Sequence, residues 1–239
     1  MESGWSVKAI HRLIVLSSTY QQANHQDQTA RTHDPDLRWL TAYPRRRLSA
    51  EEIRDAILAA SGQLDRDPGT NESGEYLISK AENINSKIMP NRVGTDDPIY
   101  TSFLKRSIYL PVVRNMLPDA MTLFDAADPN GVTAVRNETT VSLQSLFLLN
   151  SRLVRQQSHQ LARLLLAQAK SDADRIQEAH ERILGQPASN GEVIEAGQFF
   201  QAYLAAENTL SRPESERQLQ AWTSYCQALF CTNEFLYVE

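Results

Sequence analysis

The chain of 239 residues is long enough for one large domain or two small ones, and a core of that size needs neither disulfides nor metal for stability. Hydrophobic residues make up 41% and charged residues 22%, as in ordinary globular proteins. The net charge of -5 argues against a nucleic-acid-binding surface. We find no apolar run of about 18 residues and no apolar leader, so we expect no membrane insertion and no signal peptide.

The first 64 residues are predicted to form two helices joined by polar sequence. Ser6 is a suitable N-cap for a helix over 7–23, whose apolar residues cover about half of its circumference. We therefore expect this helix to have neighbours on two sides. A polar loop is predicted over 21–34, followed by a short helix or turn over 35–40.

A capping box predicts the start of the second helix: Ser49 is followed three residues later by Glu52. Apolar residues follow at helical spacing, and Gly62 is a natural stop. The basic run at 45–47 precedes this helix, which favours a structural or solvated role over a phosphate site.

The middle of the chain is polar and irregular. We predict a linker-like stretch at 65–74, a helix at 75–89, a loop at 90–98, a helix at 117–127 and a loop at 128–140. Residues 107–113 (SIYLPVV) are apolar and β-prone but contain Pro111, which permits at most an edge strand or an extended buried segment.

From residue 141 onward, helical periodicity dominates. Helices are predicted at 141–150, 152–170, 172–184 and 191–206, with a last helix from Pro213. Cys226 and Cys231 lie five residues apart in that helix, about 140° around its axis, so they cannot form a disulfide with each other.

The predicted fold class is therefore mainly α, an irregular multi-helix bundle with long ordered loops and at most a short β segment near 107–113. We divide it into an N-terminal helical part (1–64), a variable linker-like insertion (65–101) and a C-terminal helical part (102–239), which together form one structural domain.

Six segments, in order, carry a family resemblance. They are ESGWSVKAIHRLIVLSSTY (2–20), RRRLSAEEIRDAIL (45–58), KRSIYLPVVRN (105–115), FDAADPN with RNETTVSLQSLFLLN (124–150), ERILGQPAS (181–189) and AWTSYCQALFCTNEFLYVE (221–239). Together they resemble the planctomycete domain of unknown function numbered fifteen fifty-three, also called planctomycete-specific domain one. Two positions depart from that pattern: Gln21 stands where Arg is frequent, and Ser142-Leu143 where Pro-Thr is usual.

The resemblance implies no activity, because none is established for the family. It implies a C-terminal domain of large envelope or periplasmic proteins, often preceded by cytochrome c-like haem modules. We expect haem only in such upstream modules and no cofactor here, since the chain has no Cys-x-x-Cys-His. The resemblance begins inside the family's GWS-x-K-x-x-H-R-L-I segment, so we expect a truncated start.

One polar cluster is the candidate site. Its candidate ligand-binding residues are Arg106, Tyr109, Arg114, Asp125, Asp128, Arg136 and Asn137. Paired guanidinium groups suit the oxygens of a carboxylate or a sulfate, which would fit an acidic or sulfated glycan. The alternative, which we favour, is a buried Arg–Asp network ordering two loops, with Asn115 and Asn137 capping turns. We expect Arg114 and Arg136 each to pair with Asp125 or Asp128.

No metal or catalytic signature is found. Asp125, Asp128 and Asn130 lack the ligand spacing of a calcium loop, so a helix end with an Asx turn before Pro129 is favoured. The five histidines include no pair at i, i+4 and no H-E-x-x-H, which disfavours zinc. There is neither a glycine-rich phosphate loop nor a G-x-S-x-G elbow. Catalytic residues, and whether the protein is an enzyme, stay open.

Two functional hypotheses follow. The first is a structural or interaction module that packs on an upstream region of its parent protein. The second is a carbohydrate-binding or carbohydrate-processing domain working with the haem modules. An open pocket at the polar cluster would favour the second, and a buried cluster the first. Under the first, we expect the first helix to expose an apolar patch drawn from Ile10, Leu13, Leu16 and Tyr20.

Overall fold

The structure is a computed structural model that describes residues 4–67, 102–110, 112, 117–168, 170–206 and 212–238. The helices in these ranges are α1 (Val7–Val15), α2 (Gln28–His33), α3 (Ala50–Ala60), α4 (Asp119–Leu123), α5 (Ser142–Asn150), α6 (Arg152–Leu166), α7 (Asp172–Leu184), α8 (Asn190–Ala205), α9 (Glu214–Phe230) and α10 (Asn233–Leu236). Two short strands are β1 (Arg46–Arg47) and β2 (Tyr237–Val238). The mainly α fold class is confirmed.

The chain divides into two compact units. Unit 1 consists of Met1–Arg47 with Tyr237–Glu239, and unit 2 of Leu48–Leu236. Most of the predicted insertion at 65–101 and the helix predicted at 75–89 lie outside the described residues. The three-part division of the chain stays a prediction.

The two strands join the ends of unit 1. β1 pairs antiparallel with β2, with Arg46 opposite Val238 and Arg47 opposite Tyr237. The Arg45 guanidinium lies 4.7 Å from the centre of the Tyr237 ring, a cation–π contact. The basic run is thus part of the fold of unit 1, and this sheet was not predicted from the sequence.

The loop after α2 is organised by Asp34, which is buried. Its carboxylate accepts hydrogen bonds from the backbone N–H groups of Arg38 (2.7 Å) and Trp39 (3.0 Å) and from the Thr41 hydroxyl (3.0 Å). Burial alone would raise the pKa of Asp34, but these donors outweigh it and lower the pKa. Residues 35–40 therefore form turns, with Leu37 and Leu40 at positive φ.

Two boundaries in unit 1 differ from the predictions. The helix predicted over 7–23 ends at Val15, and the Ser17 hydroxyl donates to the Ile14 carbonyl (2.7 Å) just beyond it. The predicted loop at 21–34 contains α2, where the Asp27 carboxylate accepts from the Ala30 N–H (2.6 Å). Side-chain hydrogen bonds thus mark both boundaries: that of Ser17 just after the end of α1, and that of Asp27 at the start of α2.

The core of unit 2 is built on α6 and α9, which pack along each other. Leu161 and Leu165 of α6 and Phe230 of α9 are fully buried. α3 packs against α6 and α7 and adds Ile57 and Leu58, also fully buried. Each fully buried side chain of this size contributes roughly 1.5–3 kcal/mol relative to an exposed one.

α3 begins with the predicted capping box. The Ser49 N–H donates to Glu52 (2.8 Å), and the Glu52 N–H donates to the Ser49 hydroxyl (3.4 Å). One face of this helix carries Arg54, which is only 3% exposed. Its guanidinium donates to the carbonyls of Phe103 and Lys105 and to the Ser107 hydroxyl.

These contacts explain why the first described residues of the segment 107–113 form a turn and not a strand. Ser107–Tyr109 is a 3₁₀ turn, and the Ser107 N–H donates to the Asp55 carboxylate (2.8 Å). The N–H and the hydroxyl of Ser107 are thus satisfied by side chains of α3, so Ser107 needs no neighbouring strand. The helix predicted over 117–127 is also shorter than expected, because α4 stops at Leu123 and Asp125 takes a positive φ.

Replacing Arg54 should destabilise unit 2 strongly. We expect Arg54→Ala to lower the free energy of unfolding by ~3 kcal/mol or more, because three acceptors lose a charged donor in a buried place. Urea unfolding would measure it. Arg163→Ala, at an exposed position of α6, should change stability by less than ~0.5 kcal/mol. Equal effects of the two substitutions would contradict the role of Arg54.

Candidate functional site

Two of the predicted arginines line one open groove in unit 2. This charged groove, of about 790 Å³, lies between α3 and residues 106–110 and 112, and Arg106 and Arg136 line it. Three acids of α3 line it as well: Glu51, Glu52 and Asp55. A smaller adjoining cavity of about 170 Å³ is lined by Asp128 and Arg136. The lining residues of the charged groove thus include more acids than bases.

Arg136 pairs with a glutamate, so the predicted pairing with Asp125 or Asp128 is wrong for this residue. Its Nη1 donates to Glu51 Oε2 (2.7 Å) and its Nη2 to Glu51 Oε1 (3.0 Å). Partial burial alone would raise the pKa of Glu51, but the hydrogen bonds and charge of Arg136, together with hydrogen bonds from its own backbone and from Ser49, outweigh burial and lower the pKa. The side chains are 42% and 34% exposed, so this is a surface pair.

Asp125 instead closes the loop between α4 and α5. Its carboxylate accepts from the Thr139 N–H (2.8 Å) and from the Thr139 hydroxyl (2.8 Å). Gln144, which is 3% exposed, binds both ends of the same loop. Its Nε2 donates to the carbonyls of Leu123 (2.7 Å) and Thr139 (2.9 Å). The hydrogen bonds of Asp125 and Gln144 together hold the loop that carries Arg136.

Asp128 forms the expected Asx turn. Its Oδ1 accepts from the Asn130 N–H at 2.9 Å, and Pro129 lies between them. In the part of the chain that the structure describes, no group of three or more acids, histidines or cysteines is placed to hold a metal ion.

The remaining predicted residues are spread out. Arg106 is exposed, and within the described ranges its side chain makes no hydrogen bond or ion pair. Tyr109 is 37% exposed, and Asn137 is also exposed. Arg114 and Asn115 lie outside the described residues. Arg106, Asp128 and Arg136 therefore do not form the buried Arg–Asp network that the sequence favoured.

A second groove, of about 610 Å³, was not predicted. It runs between α6 and α9, and its lining residues include Gln63, Gln156, Gln157, Gln160, Gln220, Gln227, Thr223 and Ser224. We call it the glutamine groove. Arg155 lines it too, and no carboxylate does among the described residues. Spacings of three and four residues in the two helices, beside their apolar stripes, are the sequence signal that could have found it.

Comparison with known proteins identifies the family. Residues 1–200 match the family model of PSD1, described as a protein of unknown function (DUF1553). The chain belongs to the PSD1 family. The resemblance inferred from the six segments is thereby confirmed.

A search of curated proteins and a search of solved structures each found no match. The charged groove of this PSD1 domain lies wholly within the matched residues, whereas α9 lies beyond them. None of the helices among the described residues is both long and apolar enough to cross a membrane.

Breaking the Arg136–Glu51 pair should change the pKa of Glu51 more than it changes stability. We expect Arg136→Gln to raise that pKa toward its ordinary value and to lower the free energy of unfolding by less than ~1 kcal/mol, as for other surface pairs. Because the pair depresses the pKa in the folded state, its stabilisation is present at neutral pH and is lost as pH falls through that pKa.

NMR titration of the Glu51 carboxyl, together with urea unfolding at two pH values, would measure both effects. Arg152→Gln, at an exposed position of α6, should leave the Glu51 pKa unchanged. An unchanged Glu51 pKa in Arg136→Gln would show that the pair does not form in solution.

Proposed function

We propose that this PSD1 domain is an interaction module that docks, through the apolar face of α1, on an upstream region of a longer envelope protein. The observation that carries the proposal is that none of the nine residues of α1 is buried. Leu13 is 77%, Ile10 54% and Leu16 58% exposed, and Tyr20, just beyond the helix, is 48% exposed. The expected exposed apolar patch is confirmed.

A short helix with this surface needs a partner. Isolated helices below ~12–15 residues are marginal in water, and helices in proteins gain most of their stability from packing an apolar face. Clusters of exposed apolar side chains mark interaction surfaces. α1 also lies inside the residues that match the family.

The polar side of α1 indicates the chemistry of the partner. Lys8, His11 and Arg12 lie beside the apolar face, and α1 contains no acidic residue. A helix of this kind docks in an apolar groove, and carboxylates at the rim of that groove would complement its basic side. We propose such a groove in the upstream region. Unit 1 exposes Trp39 (72%) and Leu40 (53%) in addition, which could extend the contact.

A charge placed in the apolar face of α1 should abolish self-association and dye binding through that face. We expect the chain to self-associate or to bind an apolar dye, and Leu13→Glu to abolish both, because a carboxylate is costly to bury without a partner. Sedimentation velocity and dye fluorescence would measure this. His11→Glu, on the polar side of the same helix, should behave like the unchanged chain.

The outcome can contradict the proposal in two ways. A chain that is monomeric and dye-silent would show that α1 is not a docking face. A chain carrying the upstream region that still binds dye and dimerises through Leu13 would assign the face to a second copy instead.

Glycan binding is the second candidate, and the open charged groove is the observation that favours it. The Arg106 guanidinium is exposed there and has no partner among the described residues, so it could meet a sulfate or carboxylate group. The three acids of α3 oppose this, and Arg136 would have to exchange Glu51 for the ligand. The interaction module therefore remains the first proposal.

If the charged groove binds acidic glycans, replacing Arg106 should weaken that binding. We expect a sulfated heparin hexasaccharide to bind in low salt and Arg106→Gln to weaken that binding about tenfold, the effect of one lost charge-assisted contact. Arg163→Gln, at an exposed site on α6, should not change it. Titration calorimetry would decide, and equal losses in both variants would indicate nonspecific attraction.

A further inference from the structure

We infer that the glutamine groove between α6 and α9 is a binding site for a neutral, hydroxyl-rich ligand, a segment of polysaccharide. The inference goes beyond the docking proposal and uses none of its residues. It rests on the amides of α6 and the hydroxyl groups of α9 that the two packed helices bring to one cleft.

The floor of the groove holds a buried amide with one end unpaired. Gln157 lines the groove although it is only 4% exposed. One end of its amide is held by the Ser61 hydroxyl at 2.7 Å, and Ser61 itself is 1% exposed. Within the described ranges, the other end has no hydrogen-bond partner. This Nε2 donor reaches the solvent in the groove, so it is available to donate to a ligand group there.

The two helices that line the groove supply further amide and hydroxyl groups. Gln156 and Gln160 lie one turn apart on α6, and Ser224 faces the same cleft from α9. All three are half-buried, and in the described part of the chain their side chains make no hydrogen bond. An amide offers donors and an acceptor together, and a hydroxyl does the same, so these residues match neighbouring hydroxyl groups of a sugar.

Two apolar side chains also line the groove. They are Tyr203 of α8 and Leu104, and both are half-buried. A sugar ring has C–H faces as well as hydroxyl edges, so an apolar wall beside a row of amides suits it. The volume of about 610 Å³ lies inside the ~300–1,000 Å³ range of ligand sites.

Other ligand classes fit less well. An anion would need several guanidinium or ammonium groups, and among the described lining residues only Arg155 carries a full positive charge. A peptide strand would need the free backbone edge of a sheet, whereas this groove is walled by helices whose own backbone groups are paired. Apart from Arg155 and the His159 imidazole, the polar side chains that line the groove are neutral amides and hydroxyls.

The test is binding of neutral oligosaccharides to the full chain. Cellohexaose, maltohexaose and chitohexaose serve as probes, measured by ligand-observed NMR and by calorimetry. We expect at least one to bind, and Gln160→Leu to weaken that binding about tenfold through loss of the contacts of one amide. Because the Gln160 side chain has no partner in the described chain, Gln160→Leu should fold with an unchanged melting temperature.

Two matched variants make the result specific. Gln218→Leu removes an exposed amide of α9 that does not line the groove and should leave binding unchanged. Arg106→Gln, in the charged groove, should also leave it unchanged, which separates this site from the acidic-glycan candidate. The inference is overturned if none of the three probes binds at millimolar concentration, or if Gln160→Leu and Gln218→Leu bind equally well. Binding of an unrelated extended peptide that competes with the sugar would assign the groove to peptides instead.

Discussion

The packing of α6 on α9 is the contact on which unit 2 depends. Leu161 and Leu165 on one helix and Cys226 and Phe230 on the other are completely buried. Burial also raises the pKa of the Cys226 thiol to about 12, which keeps it protonated and inert. The packing of α6 on α9 also places a row of amide side chains along the edge of their contact. Core and glutamine groove are therefore two consequences of one helix pair.

α3 connects that core to both grooves. Its first turn presents Glu51 to the charged groove, and Gln63, just after its end, lines the glutamine groove. Between them, Arg54 ties the helix to the chain at 103–107 through buried hydrogen bonds. A change in the position of α3 would alter the charged groove, which its side chains line, and would move Gln63 in the glutamine groove.

Local signals in the sequence were sufficient for most of the helices. The Ser49–Glu52 capping box and the Gly62 stop depend on interactions within one turn of chain, so the sequence predicted them correctly. The arginines of the candidate site were also visible, and Arg106 and Arg136 do share a groove. What failed was the partner of Arg136, since Glu51 lies 85 residues earlier in the chain.

By itself, the sequence determined the helical class, the family and the apolar face of α1, because composition and periodicity are properties of neighbouring residues. Only the tertiary structure decided which acid meets Arg136, that 107–109 would form a turn, and that the amides of α6 and α9 would border one cleft. Those outcomes depend on contacts between distant segments. Such contacts are set by how whole helices pack, which a local pattern does not encode.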